Sequence, residues 1–279
     1  PGARTGLMAQ HLQPISDALP EQLFHALGPS SPRGKLLIIP AGWLWGVPFA
    51  ALPLPSGGVL VDHADLAYTP SLRVHAAAGT SNDSAHGHGA VSFTLPRLAG
   101  TPDLDALDEF PGGHTRRGIG ELHDAILATE NRWQLTVIAA HGNREPGLAQ
   151  AVLTDDGKAA LTAATLLTSD RTPPERLSMA ICHGLYPPND DPHEPLGLAI
   201  CALATGTREI ISTHFEVDFG GNESIASSVL ARTYGLIASG CDAPSALNQA
   251  QRETPCRASQ PLARWAVLAS LTSGPLTQE

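Results

Sequence analysis

The sequence has little of what would tie it to a nucleic acid or a membrane. Its 279 residues include only two lysines, Lys35 and Lys158, and 17 basic against 27 acidic side chains leave a formal charge of −10. With no run of Lys and Arg to neutralise phosphates, neither nucleic acid nor an anionic membrane surface is expected as a partner. No apolar stretch approaches the roughly 18 residues of a membrane span. The first residues also lack the charged-then-apolar pattern of a secretory signal, so a cytoplasmic protein is expected. Cysteine is scarce: Cys182, Cys201, Cys241 and Cys256 show no CxxC spacing and are too few for a disulfide framework. An initiator Met is missing as well. The chain opens Pro1-Gly2-Ala3 and runs straight into helix-like sequence, which points to a piece of a longer protein with a further region upstream. The preference for Ala, Gly and Pro, and for Arg over Lys, matches the codon bias of a GC-rich bacterial genome.

What is present is a core. Hydrophobic residues make up 42% of the chain, enough to fold without a staple. Residues 7–27 carry apolar positions spaced by three to five and predict one or two helices broken near Pro20. Lys35–Pro40, Leu135–Ala140, Leu177–Ile181 and Glu209–Thr213 are apolar runs of strand length, of the kind buried on both faces of a parallel sheet. Shorter strands are predicted at Leu66–Tyr68, 91–95 and Trp265–Leu268. Helices are predicted after Ser71, over Gly120–Arg132, 159–168 and Pro195–Ala204, along the stripe Ile225, Val229, Leu230, Tyr234 and Ile237, and over 245–253 behind an Asp242 cap. Residues 42–58 form a Gly- and Pro-rich packed turn, and 79–90, 101–118 and 143–158 are read as loops, the last with a turn at Asp155-Asp156-Gly157. Strands alternating with helices predict one α/β layered domain with a mainly parallel sheet.

In such a sheet, functional side chains sit just beyond the carboxyl ends of the strands. Two predicted strands end in reactive residues: His141 follows Leu135–Ala140, and Cys182 follows Leu177–Ile181. If these strands are neighbours, both side chains project over one edge and form a Cys/His dyad. A thiol of ordinary pKa is only a few per cent thiolate at neutral pH, and a nearby imidazole raises the reactive fraction and protonates the departing amine. Backbone N–H groups of Gly142 and Cys182 are the candidate oxyanion donors. Taken singly, a buried structural Cys and a satisfied polar His are the commoner fates. Both lie at ends of consecutive apolar strands, and each is flanked by glycine, which favours chemistry.

Rival patterns are weaker. Cys182, His183, His193 and His214 fit no regular zinc spacing, and adjacent Cys and His make awkward ligands. His86 and His88 sit in a polar glycine-rich stretch that reads as a solvated loop. Gly28 to Gly34-Lys35-Leu36 resembles a P-loop but has one residue too many, with Leu36 where Ser or Thr would bind magnesium. GxSxG, HExxH and GxGxxG are all missing.

From about residue 8 to the end, the chain resembles the CHAT domains, caspase-like cysteine peptidases related to separase and often attached to tetratricopeptide repeats. The matching stretches are Leu36–Gly42 through Val47–Leu52, Leu66–Leu72, Ala140-His141-Gly142, Ala180-Ile181-Cys182-His183-Gly184, Glu194–Ala199, Gly206 with Ile210–Ser212, Gly240, Ala246-Leu247, Ala250-Gln251 and Trp265–Gly274. The resemblance implies a caspase-like three-layer α/β/α sandwich over 31–279, led into by a helical segment at 1–30. It also implies a cysteine endopeptidase that cuts a protein or peptide substrate with no metal or organic cofactor, under an upstream sensor or repeat region. A catalytically silent interaction domain of the same fold is the alternative. After the fourth strand the family tends to show Trp-x-Val-x-Asp, where this sequence reads Phe215-Glu216-Val217-Asp218-Phe219. Phe215, Asp218 and Phe219 are thus the candidate substrate-binding residues. With Phe219 where the acid is expected, an apolar pocket for the residue before the cut is anticipated.

Overall fold

The computed structural model describes residues 11–27, 33–78, 87–95, 102–126, 133–143, 145, 147–168, 174–185, 196–217, 224–254 and 265–273. Its strands are β1 (Gly34–Ile38), β2 (Ala64–Tyr68), β3 (Ala90–Thr94), β4 (His114–Gly118), β5 (Leu135–Ala139), β6 (His141–Gly142), β7 (Ala151–Leu153), β8 (Ala159–Thr162), β9 (Arg176–Ala180), β10 (Glu209–Thr213) and β11 (Leu268–Thr272). Eight of them form one sheet in the order β1-β2-β11-β10-β9-β5-β3-β4, and β6-β7-β8 form a small antiparallel sheet beside it. Among the described strands of the large sheet, the one antiparallel pairing is that of β10 with β11; β11 pairs parallel with β2 and β2 with β1, so these three run opposite to the other five.

The apolar runs account for the centre. Every residue of β3 and β5 is buried, as expected for strands covered on both faces. Lys35–Pro40 departs from that expectation. As β1 it lies at the sheet edge, no residue of it fully buried. The opposite edge is β4, His-Thr-Arg-Arg-Gly, inside a stretch read as a loop from its sequence. Its charged side chains suit an edge strand, where apolar ones would invite pairing with another chain. The last strand begins at Leu268, because Trp265 belongs to the turn before it, buried in the core.

Around the sheet run a helix over residues 11–17 (α1), α2 (Glu21–Ala26), α3 (Leu60–His63), α4 (Leu72–Ala78), α5 (Leu122–Ile126), α6 (Ala163–Thr168), α7 (Leu198–Ala204), α8 (Ile225–Ala238) and α9 (Ala243–Glu253). The predicted break near Pro20 separates α1 from α2. Right-handed crossovers put connections that run one way along the sheet on one face and those that run the other way on the opposite face. Among the five strands that point the same way, the link β3→β4 runs one way along the sheet, and β4→β5, β5→β9 and β9→β10 run the other. Packing agrees. Helix α9 lies against α3 and α8, and α8 against the 3-10 segment Pro102–Glu109, whereas α6 packs on α7 and α5 on β8. The result is a three-layer α/β/α sandwich with a mainly parallel sheet. Asp242 caps α9 as predicted, accepting the Ser245 N–H at 2.8 Å while its carboxylate reaches Lys35 at 3.2 Å.

Candidate active site

Strands β5 and β9 are neighbours, parallel and in register through Ala139 and Ala180. His141 and Cys182 each lie two residues beyond that pair, so the ladder itself brings them to the same edge. His141 is exposed and Cys182 half-buried. The close fit between the two strand ends is visible at Gly142. A Cβ there would come closer than 3.0 Å to the Cys182 carbonyl oxygen and within 3.5 Å of the Ile181 Cβ. Only glycine lets the histidine strand approach the Cys182 turn this closely.

His141 and Gly142 are also held from the other side. They form β6, opposite Leu153 and Val152 of β7. Asn143 donates its N–H to the Ala151 carbonyl at 3.1 Å. Hydrogen-bonded and non-bonded positions alternate along an antiparallel ladder. Gly142, one residue from Asn143, therefore turns its N–H away from β7.

The turn that carries Cys182 is tightly tied. His183, directly after Cys182, has φ of +59°. For a residue with a Cβ, that left-handed conformation costs about 1–2 kcal/mol, and surrounding contacts must hold it. Its N–H donates to the Phe215 carbonyl at 3.2 Å, and its carbonyl accepts Nε2 of Gln150 at 2.6 Å. The buried Thr213 hydroxyl donates to the Ile181 carbonyl and accepts the Gly184 N–H at 3.2 Å. The Cys182 thiol lies 3.7 Å from the Val217 carbonyl, so the segment 215–217 flanks the sulfur. Phe215 is half-buried there, its ring 5.8 Å from that of His214. Asp218 and Phe219 lie outside the described residues, as do His86, His193 and Cys256.

The other cysteines differ in kind. Cys201 is fully buried in α7, and burial pushes its thiol up to about 11. Cys241 is half-buried after α8. Among the described residues no three His, Cys, Asp or Glu side chains are grouped so as to hold a metal ion. His214, a member of the rival zinc set, is buried beneath the site, its Nδ1 donating to the Trp45 carbonyl at 3.0 Å. A second constellation imitates a catalytic triad. Asp108 meets His114 Nδ1 at 2.9 Å, and His114 Nε2 meets Ser92 Oγ at 2.9 Å. Ser92, however, lies in the middle of β3 with no exposed surface, so no substrate reaches it. This trio fastens β4 to β3.

Sequence reasoning missed two residues that tie the Cys182 turn, Gln150 and Thr213. It also missed the hairpin β7–β8, read as a loop and the start of a helix. Asp156-Gly157 between Ala151-Val-Leu and Ala159-Ala-Leu carries the hairpin signal, and Gly157 takes φ of +77°.

Burial holds the His214 ring down to about 4 from 6.5, against the opposing effect of the Trp45 hydrogen bond. The folded state thus favours the neutral ring. The stability this contributes is complete above pH 6.5 and is lost as pH falls towards 4. At 1.36 kcal/mol per pH unit the loss is about 3 kcal/mol. His214→Asn, which keeps a donor for Trp45 and removes the titration, should flatten the fall in melting temperature over this window. An unchanged pH dependence in that variant would exclude His214 as its source.

Residues 7–273 match the model of the family described as CHAT domain. No curated protein matches the chain. Among solved structures, the crystal structure of the Arg-specific cysteine proteinase gingipain R (RGPB) is similar at 9% identity and a TM-score of 0.48, over 75% of this chain. The match takes in 54% of the proteinase chain, about half its length.

Proposed function

The chain belongs to the CHAT domain family, and on that footing we propose that it is a cysteine endopeptidase using Cys182 and His141. The observation that carries this reading is the register of β5 with β9, which sets the two residues at equal distances beyond paired alanines. His141 takes the thiol proton as the sulfur attacks the peptide carbonyl carbon. The N–H groups of Gly142 and Cys182 hold the oxyanion of the tetrahedral intermediate. On its collapse the C–N bond breaks, and His141 returns the proton to the departing amine. Water, deprotonated by His141, then cleaves the thioester and regenerates the thiol. The same reading includes an upstream repeat or sensor region, of the tetratricopeptide kind, that controls access to the site.

Phe215, Asp218 and Phe219 form the acyl-side pocket in this proposal. The half-buried Phe215 beside the nucleophile turn supports that assignment. A basic side chain in an apolar pocket loses hydration without gaining a partner, so an uncharged residue precedes the cut. A positional peptide library tests it. Phe219→Asp should shift preference towards Arg or Lys, whereas a wild-type preference for Arg that is lost in Asp218→Ala would assign the acid to Asp218. For the reaction itself, a thiol-reactive peptide probe mapped by mass spectrometry should label Cys182. Labelling at Cys241 instead would overturn the dyad.

A further inference from the structure

Gln150 immediately precedes β7 and is buried. Its side-chain amide is used at both ends: Nε2 donates to the His183 carbonyl at 2.6 Å, and Oε1 accepts the N–H of Leu198, first residue of α7, at 2.6 Å. The partners fix the amide orientation, because a carbonyl needs a donor and an N–H needs an acceptor. Its own carbonyl takes the N–H of Ala163 at the start of α6. The strand that Gln150 opens also carries Val152 and Leu153, which pair with Gly142 and His141. One short strand therefore grips the histidine through its ladder and the nucleophile turn through the Gln150 side chain.

We propose that Gln150 is a positioning residue that makes β7 a bracket between base and nucleophile, fixing the separation of His141 and Cys182. The inference rests on the peptidase reading for its meaning but concerns a geometry that can be tested apart from it. Ties to the turn from Thr213 and Phe215 come from β10 and the two residues after it. Gln150 ties the turn instead to the element that holds His141. Loss of its donor lets the left-handed His183 relax and moves the sulfur relative to the imidazole. A displacement of that order costs about 100-fold in a reaction that needs both groups.

The test compares wild type with Gln150→Met, which keeps length without hydrogen bonds, and Gln150→Glu, which keeps an acceptor for Leu198 but offers His183 no donor when ionised. The readouts are the rate of Cys182 alkylation by iodoacetamide across pH, with Cys241 as internal reference, and kcat and KM for a cleaved peptide. In each folded variant, Cys182 alkylation at neutral pH should slow relative to wild type, with Cys241 unaffected. Peptide cleavage should lose kcat by about 100-fold with little change in KM. A wild-type alkylation profile at Cys182 in either folded variant overturns the bracket. If the variants slow Cys182 alkylation relative to wild type, yet wild type cleaves no peptide, the peptidase reading fails and the bracket stands. If both variants cleave as wild type does, the bracket fails and the peptidase reading stands.

Discussion

Cys182→Ala and His141→Ala should each abolish peptide cleavage, by on the order of 10⁴-fold or more, and the double variant should be little worse than either single one. Residues that act as a unit lose their joint effect at the first removal, so the second deletion has nothing left to take. Stability should hardly change. His141 is exposed at a strand end, and among the described residues the Cys182 thiol's one hydrogen-bonding contact is the long one to the Val217 carbonyl. An exposed position such as His141 usually alters stability by about 0.5 kcal/mol or less, and trimming the small half-buried thiol of Cys182 leaves little more to lose. Cys201→Ala should behave in the opposite way. Its thiol is buried within α7 and is held in the protonated form, so the substitution costs packing and leaves cleavage intact. Steady-state cleavage set beside thermal unfolding checks both expectations. A folded Cys201→Ala without activity, or an active Cys182→Ala, would contradict the assignment.

The arrival of His141 and Cys182 at one sheet edge was legible in the sequence because a parallel sheet does most of the placing. Leu135–Ala139 and Leu177–Ala180 are apolar enough to be central strands, and neighbouring central strands end at one edge. The residues just past one strand then lie beside those just past the other. Edge elements were harder to read, since their stability comes from partners distant in sequence. β4 has no apolar pattern and is secured by the His114–Ser92 contact at 2.9 Å and by Arg116 reaching Asp105 at 2.8 Å. Gln150 was invisible for the same reason. Its partners lie 33 and 48 residues away, and a glutamine in a loop-like stretch gives no periodic signal. Thr213 reads simply as the end of a strand until the turn after Ile181 is seen folded against it.

Gly142→Ala is expected to be the most damaging single-methyl addition near the site, and Gly184→Ala provides the control. At Gly142 the added Cβ is opposed by backbone, the Cys182 carbonyl. That carbonyl cannot swing aside, because His183 beyond it is tied to Gln150 and Phe215 and Ile181 before it to Thr213. The strain must therefore part the histidine strand from the nucleophile turn, and about 100-fold of kcat is lost for a displacement near 1 Å. At Gly184 the added Cβ would also fall closer than 3.0 Å to an atom, but that atom is the Ser212 side-chain oxygen, with the Ser212 Cβ at 3.5 Å. Among the described residues the buried Ser212 Oγ has no hydrogen-bond partner, so its removal frees space without breaking a bond. Gly184→Ala alone should destabilise by about 1–3 kcal/mol, as overpacking does. Combined with Ser212→Ala it should recover most of that loss, a coupling between touching residues that a double-mutant cycle in urea measures directly. Gly142→Ala has no such partner to trim. Wild-type kcat in a folded Gly142→Ala variant would show that the turn and the histidine strand tolerate separation, and that their close approach is not what the chemistry requires.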